Sequence, residues 1–184
     1  HQPLSLTKLK FTMKYFVMAF CALLLLTNCK KKQQQECTRT FGTTAASADE
    51  EKMVTDYLAS RSITATEFEN TGMYYVIDAP GNNNKPKLCG GMNVKYSGRF
   101  TNDVLFDPRP GSGSTQSTAS FTLGALIEGW NRAMPLIGEG GKIRLFVPPA
   151  LAYGANGIYD PNTGLYTIPR NAMLIFEVEL LSIF

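Results

Sequence analysis

Leu174-Ile175-Phe176-Glu177-Val178-Glu179-Leu180 carries the clearest strand pattern in the chain. Leu174, Phe176, Val178 and Leu180 fall on one side of an extended backbone and Glu177 and Glu179 on the other, the period-two mark of a half-buried strand. The mark recurs upstream. Ile143, Leu145 and Val147 alternate with charged Lys142 and Arg144, and Met92, Val94 and Tyr96 alternate with Asn93, Lys95 and Ser97. A fourth candidate, Gly72 to Asp78, is stopped by the turn cluster Ala79-Pro80-Gly81-Asn82-Asn83-Asn84. One apolar helix interrupts the strands near Leu126 to Met134, and Pro135 is placed to end or kink it. Gly111 to Ser117 reads as a loop. Antiparallel-type strands around one short helix predict an α+β domain over residues 67–184, with the helix on one face of the sheet. A domain of about 115 residues buries roughly 65% of its unfolded surface, enough for one core.

Working back toward the N-terminus, residues 47–66 form a short helical segment. Ser47 is a candidate N-cap with Glu50 three residues on, and Met53, Tyr57 and Leu58 recur at helical spacing. Its expected role is packing against the main domain or self-association, hence a possible homodimer. Residues 29–46, polar and including Gln33-Gln34-Gln35, read as a flexible tether. Met13-Lys14 opens an uncharged run from Tyr15 to Leu26, shorter than the roughly 20 apolar residues a membrane helix needs. Residues 13–28 therefore read as a secretory signal, and residues 1–12 as an upstream extension outside the fold.

Composition narrows the chemistry. The 18 Lys and Arg exceed the 15 Asp and Glu only because Lys8, Lys10 and Lys14 precede the hydrophobic run. From Cys29 onward the charges balance, which removes the argument for nucleic-acid binding. The single histidine is His1, which excludes a His-based triad and a His-rich metal site. Paired carboxylates, Cys-x-x-Cys, a phosphate loop and a nucleophile elbow are all absent from the sequence. Of the four cysteines, Cys21 leaves with the signal and Cys29 stands at its end. After export, Cys37 and Cys89 either pair or remain two free thiols.

Aromatic residues instead gather beside turns and strand ends: Tyr96 in Val94-Lys-Tyr-Ser-Gly98; Phe106-Asp107; Phe121 and Leu123; Leu126-Ile127-Glu-Gly-Trp130; Ala152-Tyr153-Gly154; Ile168-Pro169; and Phe176. Taken singly, Trp130, Phe176, Ile127 and Leu126 are ordinary core residues and Asp107 before Pro108 an ordinary turn residue. In this order, from Gly72 to Phe184, the segments resemble the FKBP-type peptidyl-prolyl cis/trans isomerases. The resemblance implies an antiparallel sheet curled around one short helix, and a pocket for a substrate proline. Trp130 would be its floor, Tyr96, Phe106, Leu126, Ile127 and Phe176 its walls, and Phe121 its edge. Tyr153 would offer its hydroxyl to a substrate carbonyl, Asp107 would orient polar groups beside Tyr96, and Ile168 would sit on an overhanging loop. It implies proline-containing polypeptide clients and neither cofactor nor metal. A non-catalytic chaperone using the same apolar pocket is the alternative. Glu128, Glu177 and Glu179 read as solvated charges.

The chain departs from the family pattern in places. Asp107 is followed by Pro108-Arg109-Pro110, Gly157 to Tyr166 is longer than in minimal members, and Arg170 replaces a second proline. Leu26-Thr27-Asn28-Cys29 resembles the lipobox of bacterial lipoproteins, with Asn28 where Gly, Ala or Ser is usual. That likeness implies a lipid on Cys29, a membrane anchor and a place in the cell envelope; an ordinary cleaved signal and an uncleaved anchor are the alternatives.

Overall fold

In a computed structural model the described residues are 37–108 and 113–184. The upstream extension, the signal segment, Cys29 and Arg109 lie outside them. Nine strands follow in chain order: β1 (Thr66–Glu67), β2 (Tyr74–Ala79), β3 (Gly91–Arg99), β4 (Leu105–Asp107), β5 (Ser117–Thr122), β6 (Lys142–Val147), β7 (Ile158–Asp160), β8 (Leu165–Ile168) and β9 (Leu174–Ile183). The first six and β9 form one antiparallel sheet ordered β1-β2-β6-β9-β3-β4, with β5 also paired to β3.

The central place of β9 explains why its alternation is so regular. Phe176 lies opposite Leu145 of β6 and Gly98 of β3, and Val178 opposite Ile143 and Tyr96. One face of the sheet thus collects Leu145, Phe176, Ile143, Val178, Tyr96, Val94 and Leu180, all part of the main core. The other face pairs charges across strands: Lys142 with Glu179 at 3.6 Å and Arg99 with Glu177 at 3.4 Å. The two glutamates read as solvated charges are therefore partnered: register sets Lys142 opposite Glu179, and Arg99 reaches Glu177 diagonally across the β3–β9 pair.

Helix α1 (Ala48–Ser60) starts as its sequence predicts. The Ser47 hydroxyl accepts from the Glu50 amide, and the Glu50 carboxylate accepts from the Ser47 amide. Its buried residues are Val54 and Leu58, packed with Phe146, Met173 and Ile175 on the outer face of the sheet, whereas Met53 remains 40% exposed. The apolar face of α1 is thus occupied within its own domain. Residues 37–46, predicted as tether, lie against that domain. Cys37 and Cys89 form a disulfide with Cα atoms 5.7 Å apart, and the Ala46 amide donates to the Thr71 carbonyl at 2.9 Å.

Helix α2 (Glu128–Ala133) continues into a 3-10 turn, Met134–Leu136, that contains Pro135. A Cβ at Gly129 would run into the Val147 side chain, so glycine lets the helix backbone settle directly on β6. The Gly157 to Tyr166 stretch forms the β7–β8 hairpin, a separate two-stranded sheet. Its turn is set by Asp160, whose carboxylate accepts from the Asn162 amide at 2.9 Å and whose carbonyl accepts from the Gly164 amide at 2.9 Å.

Candidate active site

Trp130 is 3% exposed on the side of α2 that faces the sheet. Three rings meet its indole nearly edge-on: Phe176 at 5.3 Å and 90°, Tyr96 at 5.4 Å and 89°, and Phe121 at 5.8 Å and 82°. Edge-to-face contacts of this kind match the electropositive ring edge to the electron-rich face of the neighbour. They also fix the indole as a rigid platform. The rings come from β3, β5 and β9, which the sheet order makes neighbours. Phe106 of β4 extends the wall, meeting Phe176 at 5.7 Å and 89°. That contact depends on Gly98, where a Cβ would strike both phenyl rings.

Above the indole opens a cavity of about 610 Å³ lined by Tyr96, Phe106, Asp107, Phe121, Leu126, Ile127, Trp130, Tyr153 and Phe176, with Ala125, Glu128 and Ala152 completing it. Nine of the ten predicted pocket residues meet there. Ile168 is the one that does not line the cavity. At the end of β8 opposite Ile158, it is 4% exposed and buried in the same core cluster as Tyr96, Trp130 and Phe176.

The polar groups are few and oriented. Asp107 accepts from the Tyr96 hydroxyl at 2.6 Å and from the Ser117 hydroxyl at 2.9 Å. Burial, followed by that bond to Asp107, pushes the Tyr96 phenol well above its ordinary value. Burial and then the nearby Asp107 carboxylate push Tyr153 up as well. Both phenols therefore stay protonated at neutral pH and act as donors. The Tyr96 hydroxyl is committed to Asp107, whereas that of Tyr153, a residue 37% exposed, has no hydrogen-bond partner among the described residues.

Two residues that sequence reasoning missed hold this frame. Ser117, read as loop, is the first residue of β5 and the second donor to Asp107. Asn131, 6% exposed, accepts from the Gly124 amide at 2.8 Å and donates to the Leu126 carbonyl at 2.8 Å, clamping the loop that carries Leu126 and Ile127. Its position beside Trp130 on α2 was the available signal, since a buried asparagine must satisfy both ends of its amide. Glu128, read as solvated, lines the cavity and bonds Arg132 at 2.8 Å.

Residues 83–181 match the family model of the FKBP-type peptidyl-prolyl cis-trans isomerases. The chain belongs to this family. An FKBP-type peptidyl-prolyl cis-trans isomerase FkpA of Aeromonas hydrophila is 32% identical over 163 residues, which is 84% of this chain and 56% of that protein. The crystal structure of FkpA from Escherichia coli superposes with a TM-score of 0.59 at 27% identity, covering 99% of this chain and 74% of that one. A peptidyl-prolyl cis-trans isomerase from Pseudomonas syringae pv. tomato superposes with a TM-score of 0.58 at 29% identity, covering 77% and 98%. The chain spans about half the length of the curated Aeromonas relative. The family match begins after β2, so α1, β1 and β2 lie outside it.

Proposed function

We propose that the protein is a peptidyl-prolyl cis/trans isomerase acting on X-Pro bonds of exported or membrane-associated polypeptides. The observation that carries this reading is the indole of Trp130, ringed edge-on by Tyr96, Phe121 and Phe176 at the floor of an open cavity. At about 610 Å³ the cavity lies within the roughly 300–1,000 Å³ range of small-ligand pockets.

The chemistry needs no nucleophile. Rotation about the peptide bond faces a barrier of about 18–20 kcal/mol because the planar amide is resonance-stabilised. For X-Pro the isomers differ by only about 0.5–1 kcal/mol, yet exchange takes tens of seconds or more. Twisting reduces the charge separation of the amide. A proline ring seated on Trp130 places that amide among aromatic walls, which disfavour the polar planar form relative to the twisted one. Tyr153 donates to a carbonyl flanking the proline and holds the chain while the bond turns. Asp107 keeps Tyr96 upright against the indole. Each 1.4 kcal/mol of preferential stabilisation gives about tenfold in rate.

The test is a proline-limited refolding assay, with peptide isomerisation in parallel. The wild type should accelerate both, and Trp130→Leu should lose at least tenfold in kcat/KM while remaining folded. A wild type that bound apolar peptides without accelerating either reaction would instead make the protein a holding chaperone.

The proposed site of action is the cell envelope, through a lipid anchor at Cys29. Support comes from the Leu26-Thr27-Asn28-Cys29 sequence and from the Cys37–Cys89 disulfide, a bond that persists in oxidising compartments. Among the described residues no helix is long and apolar enough to cross a membrane. Mass analysis of the mature N-terminus should find acyl chains on Cys29, and an unmodified cysteine there would end this part of the proposal. Pairing of two copies would use a surface other than the face of α1 that holds Val54 and Leu58.

A further inference from the structure

We propose that Glu50, on a helix outside the family-matched region, is a positioning residue for the cavity wall that carries Tyr153; the inference rests on the reading of that cavity as the isomerase site. The Glu50 carboxylate has two tasks. One oxygen, Oε2, accepts from the Ser47 amide at 2.9 Å and closes the capping box. The other, Oε1, accepts from the backbone amide of Ala150, one hundred residues away, at 3.0 Å.

Ala150 is the middle residue of the 3-10 turn Pro149–Leu151, immediately before Ala152 and Tyr153. Pro148 and Pro149 have no N–H, so Ala150 bears the first amide of this turn, and it precedes any carbonyl the turn could offer it. A partly buried amide in that position finds its acceptor elsewhere, here on Glu50. Beyond it the arc is tied internally. The Pro149 carbonyl accepts from both the Ala152 and Gly154 amides at 2.9 Å. The Tyr153 carbonyl accepts from the Gly157 amide at 3.1 Å. The Glu50 carboxylate is thus where an outside element grips the start of an arc whose next residues line the cavity.

The same N-terminal stretch backs the opposite wall. A Cβ at Gly42 would strike the Glu128 carboxylate, and one at Gly124 would strike the Arg39 side chain. The Cys89 amide donates to the Leu123 carbonyl at 3.0 Å, so the disulfide anchors that stretch beside the loop bearing Leu126 and Ile127. Residues 37–51 therefore clasp both sides of the site, and Glu50 is the one that reaches its Tyr153 side by a charged hydrogen bond.

The experiment compares Glu50→Ala, Glu50→Gln and Ser47→Ala in the full chain, with the disulfide formed, well below the unfolding temperature. Glu50→Ala should raise KM for a proline peptide three- to tenfold with a smaller change in kcat. Glu50→Gln, which keeps a carbonyl oxygen for the Ala150 amide, should recover most of it. Ser47→Ala weakens the cap but leaves the Ala150 bond, and should hold KM within twofold. Equal effects of Glu50→Ala and Ser47→Ala, or an unchanged KM in Glu50→Ala, would overturn the assignment. Amide exchange separates the two layers of the argument. Glu50→Ala should speed exchange at Ala150 at least tenfold and shift the Tyr153 ring resonances, whether or not the wild type proves to be an isomerase. Unchanged exchange and unshifted resonances would sink the positioning role, whereas an inactive wild type would sink only the reading of the cavity.

Discussion

Replacing Asp107 by alanine tests the polar frame of the site most directly. In the wild type its carboxylate takes hydrogen bonds from Tyr96 at 2.6 Å and Ser117 at 2.9 Å. Ser117 is half-buried and can turn to water, so its loss is largely made good. Tyr96 cannot, because the residue is 8% exposed and its ring is wedged against Trp130 and Phe121. A hydrogen bond to a charged group contributes about 1.5–3 kcal/mol, and a buried donor left unsatisfied costs about 1–3 kcal/mol. Asp107→Ala should therefore destabilise the domain by about 2–4 kcal/mol. Removing the stranded hydroxyl as well, in Asp107→Ala with Tyr96→Phe, should return about half of that loss, since the phenyl ring keeps its edge contacts. The assay is equilibrium urea unfolding followed by Trp130, the only tryptophan in the chain, arranged as a double-mutant cycle. If Tyr96→Phe cost the same with and without Asp107, the bond would carry no coupling energy and the reasoning would fail.

Other outcomes follow from the same geometry. Reducing the Cys37–Cys89 bond, which spans a sequence separation of 52, should lower stability by about 2–4 kcal/mol through loop-closure entropy; a urea midpoint indifferent to reductant would contradict it. Because the folded chain holds the Tyr96 and Tyr153 protons more tightly than the unfolded chain does, their contribution is fully present below pH about 10. It should fade as pH rises from there toward the raised folded values, readable as a falling unfolding midpoint alongside an ultraviolet titration of the phenols. Asn131→Ala should cost about 2–3 kcal/mol and weaken peptide binding by loosening the Leu126 loop, and Trp130 fluorescence on titration with a proline peptide would register both.

Local chemistry made much of this molecule readable in advance. The period-two runs of β3, β6 and β9 were legible because much of the outer face meets water, so most second residues there are polar or paired, with Phe146 and Ile175 the exceptions under α1. Ser47 and Glu50 announced the start of α1 because a capping box is written within four residues. The pocket residues were legible through family order, not through periodicity, which would have left Trp130 and Phe176 as anonymous core.

What escaped depends on residues brought together from far apart. Ile168 looked like part of an overhanging loop, but it lies in strand β8 opposite Ile158 and is buried. Ser117 looked like loop until β3 paired it with Tyr96 and set it beside Asp107. Glu50 looked like a cap and nothing more. Local pattern was enough for four long strands and both helices, because each rests on neighbours two to four positions away, and the order of the aromatic segments was enough for the chemistry of the cavity. Tertiary structure alone decided which face of α1 is buried, that Cys37 meets Cys89, and that an N-terminal carboxylate reaches the far wall of the site. Those are contacts between segments separated by tens of residues, and strand register and helix docking, which no local pattern encodes, set the distances between them.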